Sequence, residues 1–132
     1  MPQDAIVQKA SLYMLSGPSK HLHVVMNDPI YHPNKGGLCV LLVCFCTHTD
    51  ALQDSTCLLQ PGDHPFIKRT TYVDYSRALL ANSEPLERHV VAGIHQLGEP
   101  ASQQLYDRIR LGFRQSRRTP PKIRNFMDFA SL

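Results

Sequence analysis

The stretch Leu38-Cys39-Val40-Leu41-Leu42-Val43-Cys44-Phe45-Cys46 constrains this chain more than any other. Nine apolar residues in a row leave no polar side to face water. The run is rich in β-branched or aromatic residues and is bounded by Gly36-Gly37 and by Thr47-His48-Thr49-Asp50, so it reads as a strand through the centre of a sheet. It is far too short to cross a bilayer. Polar Gln3, Asp4, Gln8 and Lys9 stand where a signal peptide would carry its apolar region, so the chain reads as soluble and cytoplasmic, with no membrane partner.

The other elements are arranged around this strand. Ser11 to Leu15 predicts a first strand stopped by Gly17-Pro18, and His21 to Met26 a second one closed by Asn27-Asp28-Pro29. Tyr31 to Gly37 reads as a polar loop, and Thr56 to Gln60 as a fourth strand ending at Pro61-Gly62. Beyond it, Tyr72 to Ala81 reads as a short helix and Arg88 to Ala92 as a last short strand. Leu105, Ile109 and Phe113 recur at helical spacing and predict an amphipathic helix over 99–116. Thr119-Pro120-Pro121 then opens a basic and apolar tail, 117–132, with Ile123, Phe126, Met127, Phe129 and Leu132 free to dock. With 132 residues, 42% apolar and 19% charged, the chain makes one globular domain, 1–132. Its β core spans 11–92: a mainly β fold with appended helices, a small, strongly bent and mostly antiparallel sheet or barrel of five or six strands with a helix at its end.

Chemistry concentrates in Gly62-Asp63-His64-Pro65-Phe66-Ile67-Lys68 and Thr71-Tyr72-Val73-Asp74-Tyr75-Ser76-Arg77. An imidazole can take or give a proton near neutral pH, while Lys and Arg hold a phosphoryl group. Cleavage of RNA by its own 2′-hydroxyl needs a base, an acid and a cation beside the phosphate. His21 and His23, two apart on one strand, face the same side and supply one proton-transfer group; His64 supplies the other, and Lys68 or Arg77 the cation. Tyr72 or Tyr75 can stack on a base, and Asp63 adjoins the same loop. One polar concavity holding His21 or His23, the 63–68 loop and Arg77 is the geometric expectation.

The mild net charge of +3 is unevenly spread, because Arg108, Arg110, Arg114, Arg117, Arg118, Lys122 and Arg124 run without a carboxylate from 108 to 124. Arg114, Arg117 and Arg118 are therefore candidate contacts to a polyanion. The four cysteines, Cys39, Cys44, Cys46 and Cys57, lie in apolar segments with no C-x-x-C, and read as buried free thiols. His21 and His23 would suit a zinc ion completed by His64, His48, Asp28 or a Cys, but the spacing is not diagnostic, and the expectation is no bound metal and no cofactor.

The succession of a short first strand, a turn, His-Leu-His-Val-Val-Met-Asn-Asp-Pro, a very apolar strand, Gly-Asp-His-Pro-Phe-Ile-Lys and Tyr-Val-Asp-Tyr resembles a divergent branch of the PemK/MazF-like growth inhibitors, over about Leu12 to Phe113. That resemblance implies an SH3-like β-barrel. It also implies a toxin held in check by an antitoxin protein, and a homodimeric, metal-independent endoribonuclease acting on single-stranded RNA. The chain departs from the better-known members: Ser11-Leu12-Tyr13-Met14-Leu15 replaces their Gly-Asp-Ile/Val opening, and His21 and His23 stand where an Arg-Pro pair would fall. The alternative reading is a non-catalytic barrel that binds a protein or nucleic acid through the basic C-terminal segment.

Overall fold

The computed structural model describes residues 5–132, so Gln3 and Asp4 lie outside the described residues. The apolar run does become the central strand. Strand β1 (Ser11–Ser16) turns at Gly17-Pro18 into β2 (Ser19–Val25), and a short β3 (Ile30–His32) with a single 3-10 turn (Pro33–Lys35) leads into β4 (Gly37–Thr47). Two residues, Leu58–Leu59, form β5, and the long β6 (Thr71–Asn82) runs directly into helix α1 (Ser83–Val91). A two-residue β7 (Gln96–Leu97) and helices α2 (Gln103–Gln115) and α3 (Pro121–Phe129) complete the chain. The fold is mainly β: one curled antiparallel sheet of seven strands in the order β5-β6-β4-β2-β1-β7, with β3 pairing to β4 beyond the end of β2. No helix among the described residues is long and apolar enough to cross a membrane.

Two apolar layers explain why β4 tolerates no polar face. On one side Leu22, Val24, Leu41, Val43, Phe45, Val73 and Tyr75 pack against Leu105, Ile109 and Phe113 of α2 and Ile123, Phe126 and Met127 of α3. On the other, Leu12, Val25, Val40 and Leu42 are covered by Ile6, Ala10 and Leu86 of α1. Each such side chain removed from water contributes about 1.5–3 kcal/mol, which makes this double layer the main source of stability. The apolar tail therefore belongs to the fold.

Two elements differ from the sequence reading. The segment Tyr72–Ala81 is strand, because Thr71 to Asp74 and Leu79 to Asn82 both pair with β4. Between Leu42↔Leu79 and Cys44↔Asp74, the residues Tyr75–Ala78 stand opposite Val43 alone, and this bulge places the core residues Tyr75 and Ala78 three apart, which imitates a helical period. The segment Arg88–Ala92 belongs to α1 and its C-cap, where Leu86 and Val90 at i, i+4 face the sheet and the β-branched pair Val90-Val91 gave a false strand signal. Three smaller departures follow: the loop expected over 31–37 overlaps β3 and the start of β4, the fourth strand shrinks to Leu58–Leu59, and the described sheet has seven strands instead of five or six, with β7 beyond residue 92. The helix expected over 99–116 is α2, capped by the Ser102 hydroxyl, which accepts from the Leu105 N–H at 3.1 Å.

Candidate functional site

Cross-strand partners share a face, so the register assembles a polar cluster at one end of the sheet. Leu12, His23, Cys44 and Asp74 form one row across β1, β2, β4 and β6. His21 on β2, beside Cys46 and Tyr72, forms the next. Toward the opposite end of this face lie the apolar Val25, Val40 and Leu42, packed with Leu86 of α1. His23, Cys44 and Asp74 are buried, whereas His21 and Cys46 are half-buried and open to solvent. The Sγ atoms of Cys44 and Cys46 and a carboxylate oxygen of Asp74 all lie within 4.8 Å of one another, and His21 Nδ1 is 3.9 Å from Cys46 Sγ.

The bulge in β6 does the rest. It throws Ser76 and Arg77 outward, both exposed, and the Ser76 hydroxyl donates to Asp74 Oδ1 at 2.6 Å. Arg77 makes no hydrogen bond or ion pair among the described residues. Its guanidinium reaches the β1–β2 turn, where a methyl group added at Gly17 would lie 3.2 Å from it. Gly17 takes φ +68°, a left-handed conformation open to glycine, and this keeps the hairpin tip tight beneath the arginine.

Burial governs the proton affinities here. It pushes His23 down to about 4, against the hydrogen bond its Nδ1 makes with the His21 carbonyl at 3.0 Å and with the help of His21, Arg77 and His95. Cys46 is lowered to about 6, first because the Cys44 thiol hydrogen-bonds to it; burial opposes this, and His21 and Tyr72 assist. Cys44 is raised in return, and burial with the neighbouring Cys46 and Asp74 pushes Tyr72 up to about 12. The cluster thus offers a neutral imidazole, a thiolate, a protonated phenol and a free guanidinium side by side.

A pH dependence follows from His23. In the unfolded chain it takes a proton near 6.5, whereas the native state resists down to about 4, so the unfolded state binds more protons in that window and stability is lost as pH falls through it. In metal-free buffer the wild type is expected to lose about 2 kcal/mol between pH 7 and pH 5, where most carboxylates stay charged, and His23→Gln to lose much less. Urea unfolding at the two pH values measures this. His21, Cys44, Asp74, Arg77 and His95 face the same imidazole, and an equal loss in both proteins would assign the effect to His95, whose affinity burial also lowers.

The structure brings together His21, His23, Arg77 and Tyr72 of the residues proposed from sequence, and places the others elsewhere. His64 lines a separate groove of about 340 Å³ with Tyr13, Leu22 and Phe66, on the Leu22 face of β2 and so opposite His21 and His23. The single concavity expected from sequence is therefore two sites. The His64 ring is fully engaged: Nδ1 accepts from the Phe66 N–H at 3.0 Å and Nε2 donates to the Glu99 carbonyl at 2.7 Å, so it clamps the 62–68 turn to the segment before α2. Asp63 pairs with Arg108 at 3.2 Å and accepts from the Gln60 N–H, while Lys68 is exposed on that loop. Tyr75 is a core residue whose hydroxyl donates to the Ile109 carbonyl at 2.8 Å, and it has no face left for a nucleobase.

The basic segment is largely structural. Arg108 donates to the Leu58 carbonyl, Arg114 pairs with Asp128 and donates to the Leu132 carbonyl, Arg118 donates to the Leu52 carbonyl, and Arg124 reaches the Ser116 carbonyl. These guanidinium groups tie the helices to loops, and Arg117 is left exposed beside them. Sequence reasoning missed Cys44, Cys46 and Asp74. A signal was present: Cys-x-Cys on β4 and His-x-His on β2 share a period of two, and only the register sets them side by side.

A curled antiparallel sheet carrying a thiol, imidazole, carboxylate and guanidinium cluster at one end defines the class to which this fold and site belong. Compared with protein-family models, with curated proteins and with solved structures, the chain gives no match.

Proposed function

We propose that this chain is a PemK/MazF-like growth inhibitor, with the SH3-like barrel of that group, that engages single-stranded RNA over the β2–β4–β6 cluster and cleaves it without a metal. The observation that carries the reading is Arg77, an exposed guanidinium with no partner among the described residues, standing over buried polar groups on the sheet face that holds His21. In this reading Arg77 holds the scissile phosphate and stabilises the charge that builds on it. The half-buried His21 takes the 2′-hydroxyl proton, and Tyr72, which keeps its own proton to about 12, can donate toward the leaving oxygen. His23 positions this set as a neutral, buried imidazole. An antitoxin would act by covering the same face.

The alternative, a non-catalytic barrel that binds through its basic C-terminal segment, has less to draw on, because four of those arginines are occupied by backbone carbonyls. Expression of the chain is expected to arrest growth, and the purified protein to cut single-stranded RNA in the presence of a chelator. Arg77→Ala should lower the rate by about 100- to 1000-fold, as loss of a charge-stabilising donor does. Lys68→Ala, equally exposed but on the other loop, should leave it unchanged. RNA left intact by the wild type, or cut equally well by Arg77→Ala, would refute the proposal, and binding without cleavage would favour the alternative.

A further inference from the structure

We propose that Cys44, Cys46, Asp74 and His21 form a binding site for a divalent cation of borderline softness, of the zinc class. The geometry is close to what such an ion requires. With Zn–S near 2.3 Å and Zn–N near 2.0 Å, tetrahedral ligands sit about 3.6 Å apart, and His21 Nδ1 already stands 3.9 Å from Cys46 Sγ. The two sulfurs and the Asp74 carboxylate lie within 4.8 Å of one another, a gap that small side-chain rotations close.

The placement is built by the sheet. Cys44 and Cys46 are two apart on β4, His21 and His23 two apart on β2, and the antiparallel register puts His23 opposite Cys44. Strand ladders hold their side chains more firmly than loops do, which favours a preformed site. Cys44 and Asp74 form the buried floor, while half-exposed Cys46 and His21 leave an entry path. The same His21 nitrogen, Nδ1, now hydrogen-bonds to the Phe45 carbonyl at 3.0 Å, so loading the site exchanges that hydrogen bond for a bond to the cation.

Charge favours occupancy as well. Two thiolates and a carboxylate carry three negative charges, against two on the cation and one on Arg77 beside them, so the loaded cluster is neutral and can stay buried. Binding does not rest on the cleavage reading. Loading would withdraw His21 from proton transfer, so cleavage is to be measured on chelator-treated protein.

The test is to titrate Co²⁺ into the full, reduced, chelator-stripped chain. One equivalent should bind, with a thiolate-to-cobalt charge-transfer absorption and the visible bands of a tetrahedral site, and Zn²⁺ should displace it. Cys46→Ser should weaken binding about 100-fold or more, and His21→Ala, at a half-exposed position, should weaken it at least about 10-fold. Cys39→Ser with Cys57→Ser, at thiols on the helix-covered face, should leave the spectrum unchanged. No charge-transfer band in the wild type, or a band undiminished in both Cys46→Ser and His21→Ala, would overturn the site, whatever the chain does to RNA.

Discussion

Gly112→Ala is expected to destabilise the protein by about 3 kcal/mol and to lower Tm by about 10 °C, although the same change inside an exposed helix would stabilise it by about 1 kcal/mol. The reason is Tyr75. A Cβ at position 112 would lie 1.9 Å from the Tyr75 hydroxyl oxygen and 2.6 Å from Cζ, and that ring is fully buried with its edge against Phe113. The hydroxyl cannot swing away, because it donates to the Ile109 carbonyl one helical turn earlier. Gly112 is thus the notch by which α2 seats on β6. Urea unfolding measures the loss, and Tyr75→Phe in the Gly112→Ala background should recover part of it by removing the closest atom. A Gly112→Ala protein as stable as wild type would show that α2 does not sit against Tyr75 in this way.

Asn27→Ala should cost a similar amount, about 3 kcal/mol, through hydrogen bonds and not through packing. Strand β2 leaves β4 after Val25, and β3 takes over only at Ile30, so β4 would pass a gap with unpaired backbone groups. The buried Asn27 side chain fills it. Its Oδ1 accepts from the Leu41 N–H at 2.8 Å, and its Nδ2 donates to the carbonyls of Cys39 at 3.2 Å and Asp28 at 2.8 Å. Alanine orphans the buried Leu41 donor. Asn27→Asp is expected to fare no better, since it keeps the acceptor but sets a carboxylate against two carbonyl oxygens. Equal stability of wild type and Asn27→Ala in denaturant would mean that water or a backbone shift fills the gap.

These two positions show how far single-chain reading reaches. Asn27-Asp28-Pro29 is legible as a strand stop, but nothing in those letters says that the Asn27 side chain pairs with the backbone of β4 in the gap between β2 and β3. Gly112 breaks a helical pattern without explanation until Tyr75, 37 residues away, is seen against it. The candidate site behaves in the same way. His21, His23, Tyr72 and Arg77 were visible as chemistry, whereas His64, the most suggestive residue in the sequence, is spent on the Phe66 N–H and the Glu99 carbonyl.

Local patterns act over a few residues, and what they determine here is local: the apolar β4, the Gly17-Pro18 hairpin, the 3.6-residue stripe of α2 and the mainly β class. Each rests on burial or backbone preference that the neighbouring residues carry with them. The β6 bulge, the choice of face for His64 and the meeting of Cys44, Cys46 and Asp74 depend on which strands lie beside one another. Pairing partners are set by packing two layers onto a curled sheet, a balance summed over the whole chain. Tertiary structure alone therefore decided that a strand period imitates a helix at Tyr75–Ala78, that the arginines near the C-terminus hold loops, and that two thiols, a carboxylate and an imidazole share one end of the sheet.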